Sequence, residues 1–204
     1  MDDDLRAAWT RHAAARQRFL EMAAHALPPP KLAEQARRLG LQLDRELAQV
    51  GEEELAYAID LAIYAAPPGR SRAIDRIARQ HARLNTEAAL VLNALSHAWL
   101  SVFRVEDSHP DGGLLLEDTL LGGQVWALDE GLAEAAEPGS LVATRLGRVQ
   151  GYAITTGVHL VLDEPSFANI REVLNRSGLA PADLLEDARF TENLWRRALG
   201  FGPG

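Results

Sequence analysis

The clearest indication of the fold comes from residues 99–163. They read WLSVFRVEDSHPDGGLLLEDTLLGGQVWALDEGLAEAAEPGSLVATRLGRVQGYAITTGVHLVLD. Short runs rich in aliphatic, β-branched and aromatic residues alternate here with clusters of glycine, proline and aspartate. Closely spaced short strands of this kind are typical of small closed or rolled sheets. The pattern predicts a small antiparallel β-barrel or rolled sheet, with strands at LSVFRVE, LLLED, QVWALD, LVATRL, YAITT and VHLVLD.

The N-terminal flank of this segment is predicted to be helical. Apolar residues recur there at helical spacing, and proline and glycine separate the periodic stretches. The first helix ends at Pro28, and the second covers 32–50 with a break at Gly40. Further helices are predicted over 52–66, 71–84 and 87–99.

The C-terminal flank carries signals for three short helices. Pro165 suits a first helical turn, and Gly178 suits the left-handed residue that ends a helix. Pro181 opens a second helix, and Thr191 is predicted to cap the last one. The chain is therefore predicted to be an α+β protein, with a helical bundle in 1–98, a small β-barrel-like module in 99–163 and C-terminal helices in 164–204.

Composition narrows the class of protein. The 204 residues are 47% hydrophobic and 25% charged, which suits an ordinary globular core. The formal net charge of −8 disfavours a general nucleic-acid binder, because phosphates repel an acidic surface. Nearly all basic residues are arginine, with Lys31 as the single lysine, and this bias together with abundant alanine is typical of a GC-rich bacterium.

The same composition bears on compartment and cofactors. The chain contains no cysteine, which excludes disulfides and thiolate metal sites and fits a reducing cytoplasm. Its start, MDDDLRAAWTRH, has acids where a secretory signal has bases. No stretch approaches the roughly 20 apolar residues that span a bilayer. We therefore expect a cytoplasmic protein with no membrane segment, no cofactor and no stoichiometric zinc.

Residues 101–146 carry a resemblance to a group of known proteins. Val105 ends a strand, Gly112-Gly113 form a turn, and Asp118 and Gly123 bound a second turn. Turn residues follow at Pro138-Gly139, and a strand carries Arg145 near its end. In this pattern the segment resembles uncharacterised bacterial proteins that share a small β-rich module.

The resemblance has two departures and implies a shared fold module without an activity. Ser140 stands where the pattern has an aspartate. Some of the similar proteins end in a zinc-binding SEC-C motif built on cysteines, and the chain has no cysteine with which to form it. No zinc site follows from the resemblance.

The sharpest candidate site is a row of four arginines. Arg72, Arg76, Arg79 and Arg83 fall within one narrow stripe at helical spacing. Such a row could hold phosphates or the carboxylates of a partner. A solvated face of an amphipathic helix is the alternative, and Asp75 beside the row favours it by pairing with Arg79.

The loop EDSHPDGG offers a weaker candidate. Asp107, His109 and Asp111 lie close together and bear groups that bind divalent ions. Their spacing matches no calcium or zinc loop, and the same residues are what a tight turn requires. A turn is the favoured interpretation.

Other polar residues give no catalytic pattern. Glu117, Asp118 and Asp129 could form an acid–base set, although carboxylates at strand ends are common without function. His97 and His159 lie in apolar runs and are interpreted as hydrogen-bonded core or boundary residues. No phosphate-binding loop and no nucleophile motif is present.

Three functions remain open from the sequence. The first is a non-enzymatic module that binds a protein partner. The second is nucleic-acid binding through the β module and the Arg72, Arg76, Arg79 and Arg83 face, although the strands carry few bases. The third is an enzyme whose site is assembled from scattered residues, which a deep pocket lined by ionisable groups would favour.

Overall fold

The computed structural model describes residues 3–41, 50–66, 69–81 and 86–201. Within these ranges the chain forms nine helices and five strands. The helices are α1 (Asp3–His25), α2 (Pro29–Arg38), α3 (Glu52–Tyr64), α4 (Ala73–Gln80), α5 (Glu87–Ser96), α6 (Glu130–Ala135), α7 (Glu164–Ser177), α8 (Pro181–Glu186) and α9 (Ala188–Ala198). The strands are β1 (Trp99–Ser108), β2 (Leu114–Asp118), β3 (Gln124–Ala127), β4 (Leu141–Val149) and β5 (Tyr152–Leu162). The α+β class is confirmed, and the predicted helical residues 42–49 and 82–84 lie outside the described residues.

The five strands form one mixed sheet with the hydrogen-bonded order β1-β2-β3-β5-β4. Strand β4 also pairs with β1, so the pairing closes on itself. The prediction of a purely antiparallel sheet is wrong at one contact, because β3 and β5 pair in parallel at Ala127 and Ala153. These two strands are not joined by a hairpin. Helix α6 and strand β4 intervene, and the β4–β5 hairpin sets the direction of β5.

Helix α6 was not predicted from the sequence, which indicated only strands and turns within residues 99–163. The Asp129 side chain accepts a hydrogen bond from the Leu132 amide at 3.0 Å and caps the helix. Leu132 is buried with the side chains inside the sheet. Capping and burial together stabilise a helix too short to persist alone.

Buried side chains form three clusters around the sheet. Phe103, Leu116 and Leu146 fill the interior between the strands. The second cluster joins the sheet to α1, α4 and α5, and the third joins it to α2, α3 and the C-terminal helices. Gly147 allows the close approach of α5, since a Cβ there would lie 2.5 Å from the Ala94 carbonyl oxygen.

The C-terminal helices follow most of their sequence signals. Pro165 lies in the first turn of α7, and Gly178 ends it in the left-handed conformation with φ of 65°. Pro181 opens α8 as predicted. The predicted cap at Thr191 is wrong: Asp187 caps α9, and Thr191 is buried within the helix because it faces the core.

No described helix combines the length and the apolar character that crossing a membrane requires.

Candidate functional site

A cleft of about 600 Å³ opens where the N-terminal helices, the sheet and the C-terminal helices meet. Its walls come from the end of α3, the start of α4, the α5–β1 junction, strand β4 and the α8–α9 corner. The volume falls within the range of about 300–1,000 Å³ that is typical of small-molecule sites. Such a cleft was not predicted from the sequence.

Arg145 in β4 is the buried cation of this cleft. Arg145 as a whole is 6% exposed, and its guanidinium lies 4.1 Å from the centroid of the Tyr64 ring. Register between β4 and β5 shifts at this point, between Thr144 and Leu146. The additional residues lie in β5, whereas β4 pairs regularly with β1, so Arg145 points to the same face of β4 as Leu141 and Ala143.

Asp60 on α3 compensates the charge of Arg145. Its carboxylate oxygens lie 3.4 Å from Arg145 Nε and 3.5 Å from Nη2. The same carboxylate accepts hydrogen bonds from Thr156 Oγ1 at 3.2 Å and from Trp195 Nε1 at 3.0 Å. Asp60 therefore connects α3, β4, β5 and α9 through one buried carboxylate.

Burial raises the pKa of the Tyr64 hydroxyl, so this group stays protonated at neutral pH. It donates a hydrogen bond to the Leu95 carbonyl at 3.2 Å. Tyr64 therefore holds the end of α5 and gives Arg145 an aromatic surface. It is not a proton-transfer group near neutral pH.

Arg72 forms the second cationic wall. It caps α4 and binds Asp75 through Nε at 2.9 Å and Nη2 at 2.8 Å. The hydrogen bond with Asp75 is the main cause that raises the pKa of Arg72. Nη2 also donates to the Ser96 carbonyl at 2.6 Å, where a cation offsets the negative end of α5.

Unpaired donors remain on these arginines. The cleft is also lined by Arg70, which is exposed and forms no hydrogen bond or ion pair with any described residue. Arg72 and Arg145 use Nε and Nη2 for their carboxylates. Within the described ranges, neither Nη1 atom has a hydrogen-bond acceptor. Glu186 on α8 is an exposed acid on the opposite wall.

A smaller cavity of about 250 Å³ shares Trp99 and Leu121 with the cleft. Trp99 Nε1 donates to Asp118 at 3.1 Å, and the Arg148 guanidinium lies 5.1 Å from a Trp99 ring centroid. Asp118 also accepts from Ser101 Oγ at 2.5 Å and from two amides of the β2–β3 turn. Its carboxylate is thus occupied by structural contacts.

The structure places the three described arginines of the predicted row in different environments. Arg72 lines the cleft, whereas half-buried Arg76 donates to the Ser71 carbonyl at 3.0 Å. Exposed Arg79 donates to Ser71 Oγ at 2.7 Å. Arg83 lies outside the described residues.

The loop of Asp107, His109 and Asp111 forms a hydrogen-bonded turn. Asp107 accepts from the Ser108 amide, and His109 Nδ1 accepts from the Asp111 amide. The His109 ring stacks on Trp126 with centroids 3.9 Å apart. Among the described residues no cluster of acids and histidines has the geometry to hold a metal ion.

The three carboxylates considered as an acid–base set serve different elements. Glu117 is exposed, and Asp118 binds the β2–β3 turn. Asp129 caps α6 and pairs with Arg16 of α1. Of the two histidines, exposed His97 lines the cleft and donates from Nδ1 to the Asn93 carbonyl, and His159 is half-buried.

Sequence reasoning missed Asp60, Tyr64 and Arg70, and it noted Arg145 only in the resemblance and as one of the few basic residues of the strands. One signal was available. Asp60 is the single charge in the apolar run LAYAIDLAIYAA, and Arg145 is the single charge in LVATRL. A buried charge needs a partner, so two isolated charges of opposite sign in apolar elements indicate a pair.

Residues 19–177 match the model of a family of unknown function, DUF7986. The matched range includes all five strands and the cleft residues Arg70, Arg72 and Arg145, and it ends before α8. No curated protein and no solved structure matches the chain. The prediction of an uncharacterised family is confirmed at this level.

Proposed function

The chain belongs to this family of unknown function, and we propose that it is a non-enzymatic binding protein whose cleft takes a small organic anion. The observation that carries the proposal is the set of arginine donors without acceptors in the described chain. Among the described residues Arg70 has no ion-pair partner and the Nη1 atoms of Arg72 and Arg145 have no hydrogen-bond acceptor, and all three arginines line the cleft. Guanidinium groups bind carboxylates and phosphates strongly because their hydrogen bonds are charge-assisted.

Local electrostatics support an anion despite the acidic chain. Asp60 and Asp75 are paired with Arg145 and Arg72, so these charges offset one another, and Arg70 on one wall and Glu186 on the opposite wall are the remaining charges of the described lining. An anion is therefore favoured on the Arg70 side of the cleft. Helices α4 and α9 also begin at the cleft wall, and the N-terminal end of a helix favours negative charge. Cations also lie at the C-terminal ends of two helices. Arg72 donates to the Ser96 carbonyl at the end of α5, and Lys31 donates to the Ala65 carbonyl after α3.

Apolar side chains in the same cleft favour an organic ligand over an inorganic ion. Leu61, Leu100, Trp99 and Leu185 line it together with the arginines. A pocket of mixed character binds an apolar body by burial and orients it through a few polar groups. A short-chain carboxylate is the simplest molecule with both features.

Hexanoate, with 1-hexanol as its neutral counterpart, tests the proposal by NMR titration. We expect hexanoate to shift resonances of cleft residues and hexanol to bind more weakly. Arg70→Ala should weaken hexanoate binding by about fivefold, the upper end for an exposed ion pair. Arg37→Ala is the matched control, because Arg37 is exposed on α2 and has no described partner. Equal binding of hexanol, or equal effects of the two variants, contradicts the proposal.

A protein partner is the second candidate, and exposed Leu121 favours it. This residue is 44% exposed and lies between the two cavities, where an apolar contact could anchor a partner. Leu121→Asp should then abolish capture of a defined partner, whereas Val173→Asp, at a 48% exposed position on α7, should not. Loss with both variants, or with neither, contradicts a specific contact at Leu121.

Bacterial origin and a cytoplasmic compartment stay predictions. The cysteine-free sequence supports a reducing compartment. Nucleic-acid binding stays disfavoured by the net charge of −8.

A further inference from the structure

Two charges of the cleft have no ion-pair partner among the described residues. The charges of Arg72 and Arg145 are each offset by the aspartate with which the arginine pairs. Arg70, in the segment before α4, and Glu186, the last residue of α8, remain, and both are exposed and line the cleft. The charges of the cleft therefore balance, but they are distributed as a positive wall and an opposite negative wall.

Glu186 acts on the interior of the cleft. The hydrogen bond with Asp75 is the main cause that raises the pKa of Arg72, and the negative charge of Glu186 adds to it. Arg72 is not an ion-pair partner of Glu186, because Nε and Nη2 of Arg72 bind Asp75. The adjacent acid, Asp187, is bound by Arg189 at 2.6 Å and caps α9. Glu186 is therefore the acid of this wall that remains available for a cation.

Apolar side chains line the same cleft. Leu61, Leu100 and Leu185 are buried, and Leu185 directly precedes Glu186. Because Arg70 and Glu186 belong to different walls, a ligand that carries both charges on neighbouring atoms can contact only one of them. A ligand that contacts both needs a chain of carbons between its charges, and the leucine side chains favour methylene groups by burial.

We propose that the cleft selects zwitterions in which an alkyl chain separates a carboxylate from an ammonium group. The carboxylate lies at Arg70, and the ammonium group lies at Glu186 on the opposite wall. The proposal rests on the proposed function, since it keeps the anion at Arg70 and adds a contact for the other end of the ligand. Linear ω-amino acids are the simplest molecules of this class.

Two isomers test the proposal on the wild-type protein. In 6-aminohexanoate the ammonium group lies at the far end of the chain, and in 2-aminohexanoate it lies beside the carboxylate. Both are titrated by NMR next to hexanoate at about pH 7, where both ends of each isomer are ionised. We expect 6-aminohexanoate to bind about two- to fivefold more tightly than hexanoate, which is the gain for an exposed ion pair. We expect no gain for 2-aminohexanoate, because its ammonium group would lie beside Arg70.

Glu186→Gln should act differently on two of these ligands. Loss of the negative charge removes the ion pair with the ammonium group, so the gain of 6-aminohexanoate over hexanoate should disappear. The same loss removes the repulsion of a carboxylate, so hexanoate should bind at least as tightly as before. Asp183→Asn is the matched control, because Asp183 is an exposed acid of α8 outside the cleft lining, and the gain should persist in this variant.

The outcomes separate the two proposals. If the two isomers bind equally, or if Glu186→Gln keeps the gain, the zwitterion site is overturned, and the cleft proposal stands as long as hexanoate binding depends on Arg70. If hexanoate does not bind and Arg70→Ala changes nothing, the cleft proposal itself fails. Thermal unfolding of Glu186→Gln that matches wild type ensures that a lost gain reflects the missing charge, and the comparison of the isomers needs no variant.

Discussion

Two buried carboxylates anchor helices on opposite sides of the same strand, β5. Asp129 accepts hydrogen bonds from Arg16 of α1 and from Thr155, and Asp60 accepts them from Arg145 and from Thr156. Neighbouring residues of a strand point to opposite faces, so Thr155 and Thr156 serve the two sides. Each of these two contacts between a helix and the sheet, which we call junctions, thus consists of an aspartate, an arginine and a threonine.

The two junctions differ in how closely the arginine is held. Arg16 donates a direct hydrogen bond from Nη1 to Asp129, and its side chain is 18% exposed. Arg145 lies at 3.4 Å or more from Asp60, with its side chain 7% exposed and its ring contact directed to Tyr64. The closely held pair is suited to fastening α1, whereas the loosely held pair leaves donor capacity at the cleft. The same three residue types therefore join helices to the two faces of one strand, with the arginine held at different distances from its carboxylate.

Removal of each carboxylate is expected to give the largest difference in stability between the two junctions. Asp60→Ala leaves Arg145 buried without a counter-ion, and we expect a loss of about 3–5 kcal/mol in the free energy of unfolding. Asp129→Ala should cost less, about 2 kcal/mol, because partly exposed Arg16 can regain water while α6 loses its cap. Denaturant unfolding measures both. An equal or larger loss for Asp129→Ala contradicts the distinction, and Asp60→Asn provides a milder variant if Asp60→Ala does not fold.

Substitution of Thr155 and Thr156 tests the same difference between the Asp129 and Asp60 junctions through smaller losses of stability. Thr155 Oγ1 donates to Asp129 at 2.7 Å and accepts from the Gly157 amide at 3.0 Å, whereas Thr156 Oγ1 lies 3.2 Å from Asp60. We expect Thr155→Val to lower the free energy of unfolding by about 1–2 kcal/mol and Thr156→Val by about 0.5–1 kcal/mol. Both are measured by denaturant unfolding beside wild type. The reverse order would show that the longer contact is the stronger.

The α1 junction also contains a buried histidine, and this predicts a pH dependence. His12 Nδ1 lies 2.5 Å from the Tyr152 hydroxyl and Nε2 lies 3.1 Å from Glu87. Burial lowers the pKa of His12 below its ordinary value of 6.5, Arg11 lowers it further, and Glu87 partly opposes them. Because the unfolded chain then binds a proton more readily, the contribution of His12 is complete above pH 6.5 and is lost as the pH falls through the folded-state pKa.

Comparison of wild type with His12→Gln isolates this effect. The difference in unfolding free energy between them should shrink as the pH falls from 7.5 to about 5, since only wild type loses the histidine contribution in this window. No histidine side chain hydrogen-bonds Asp60 among the described residues, so Asp60→Asn should not alter the shrinkage. A difference that stays constant or grows contradicts the assignment.

The smallest expected effect concerns the outer arginines of α4. Arg79→Glu should change the free energy of unfolding by less than about 0.5 kcal/mol, because its side chain is exposed. Arg72→Glu should cost about 1.5–3 kcal/mol, since it removes charge-assisted hydrogen bonds to Asp75 and Ser96. Comparable losses in the two variants would show that the arginine row acts as a unit.

The sequence was most informative where local chemistry decides structure. Pro165 and Gly178 predicted the bounds of α7, and the glycine turns predicted the strands around Val125 and Val142. Helix α6 was missed because its stability comes from Leu132, which packs inside a sheet that the local sequence does not reveal. The mixed pairing was missed because hairpin chemistry describes only neighbours along the chain.

The candidate site depended almost wholly on contacts between distant residues. Asp60 and Arg145 are 85 positions apart, and Asp60 and Trp195 are 135 apart. Periodicity, caps and composition were enough to predict the α+β class, most helix ends and the absence of cysteine chemistry. Which arginines lie at a cleft and which lie in solvent depends on how distant segments pack, and this is visible only in the folded chain. Pairing of buried charges is set by packing across the chain, and a helical repeat of arginines looks the same in either environment.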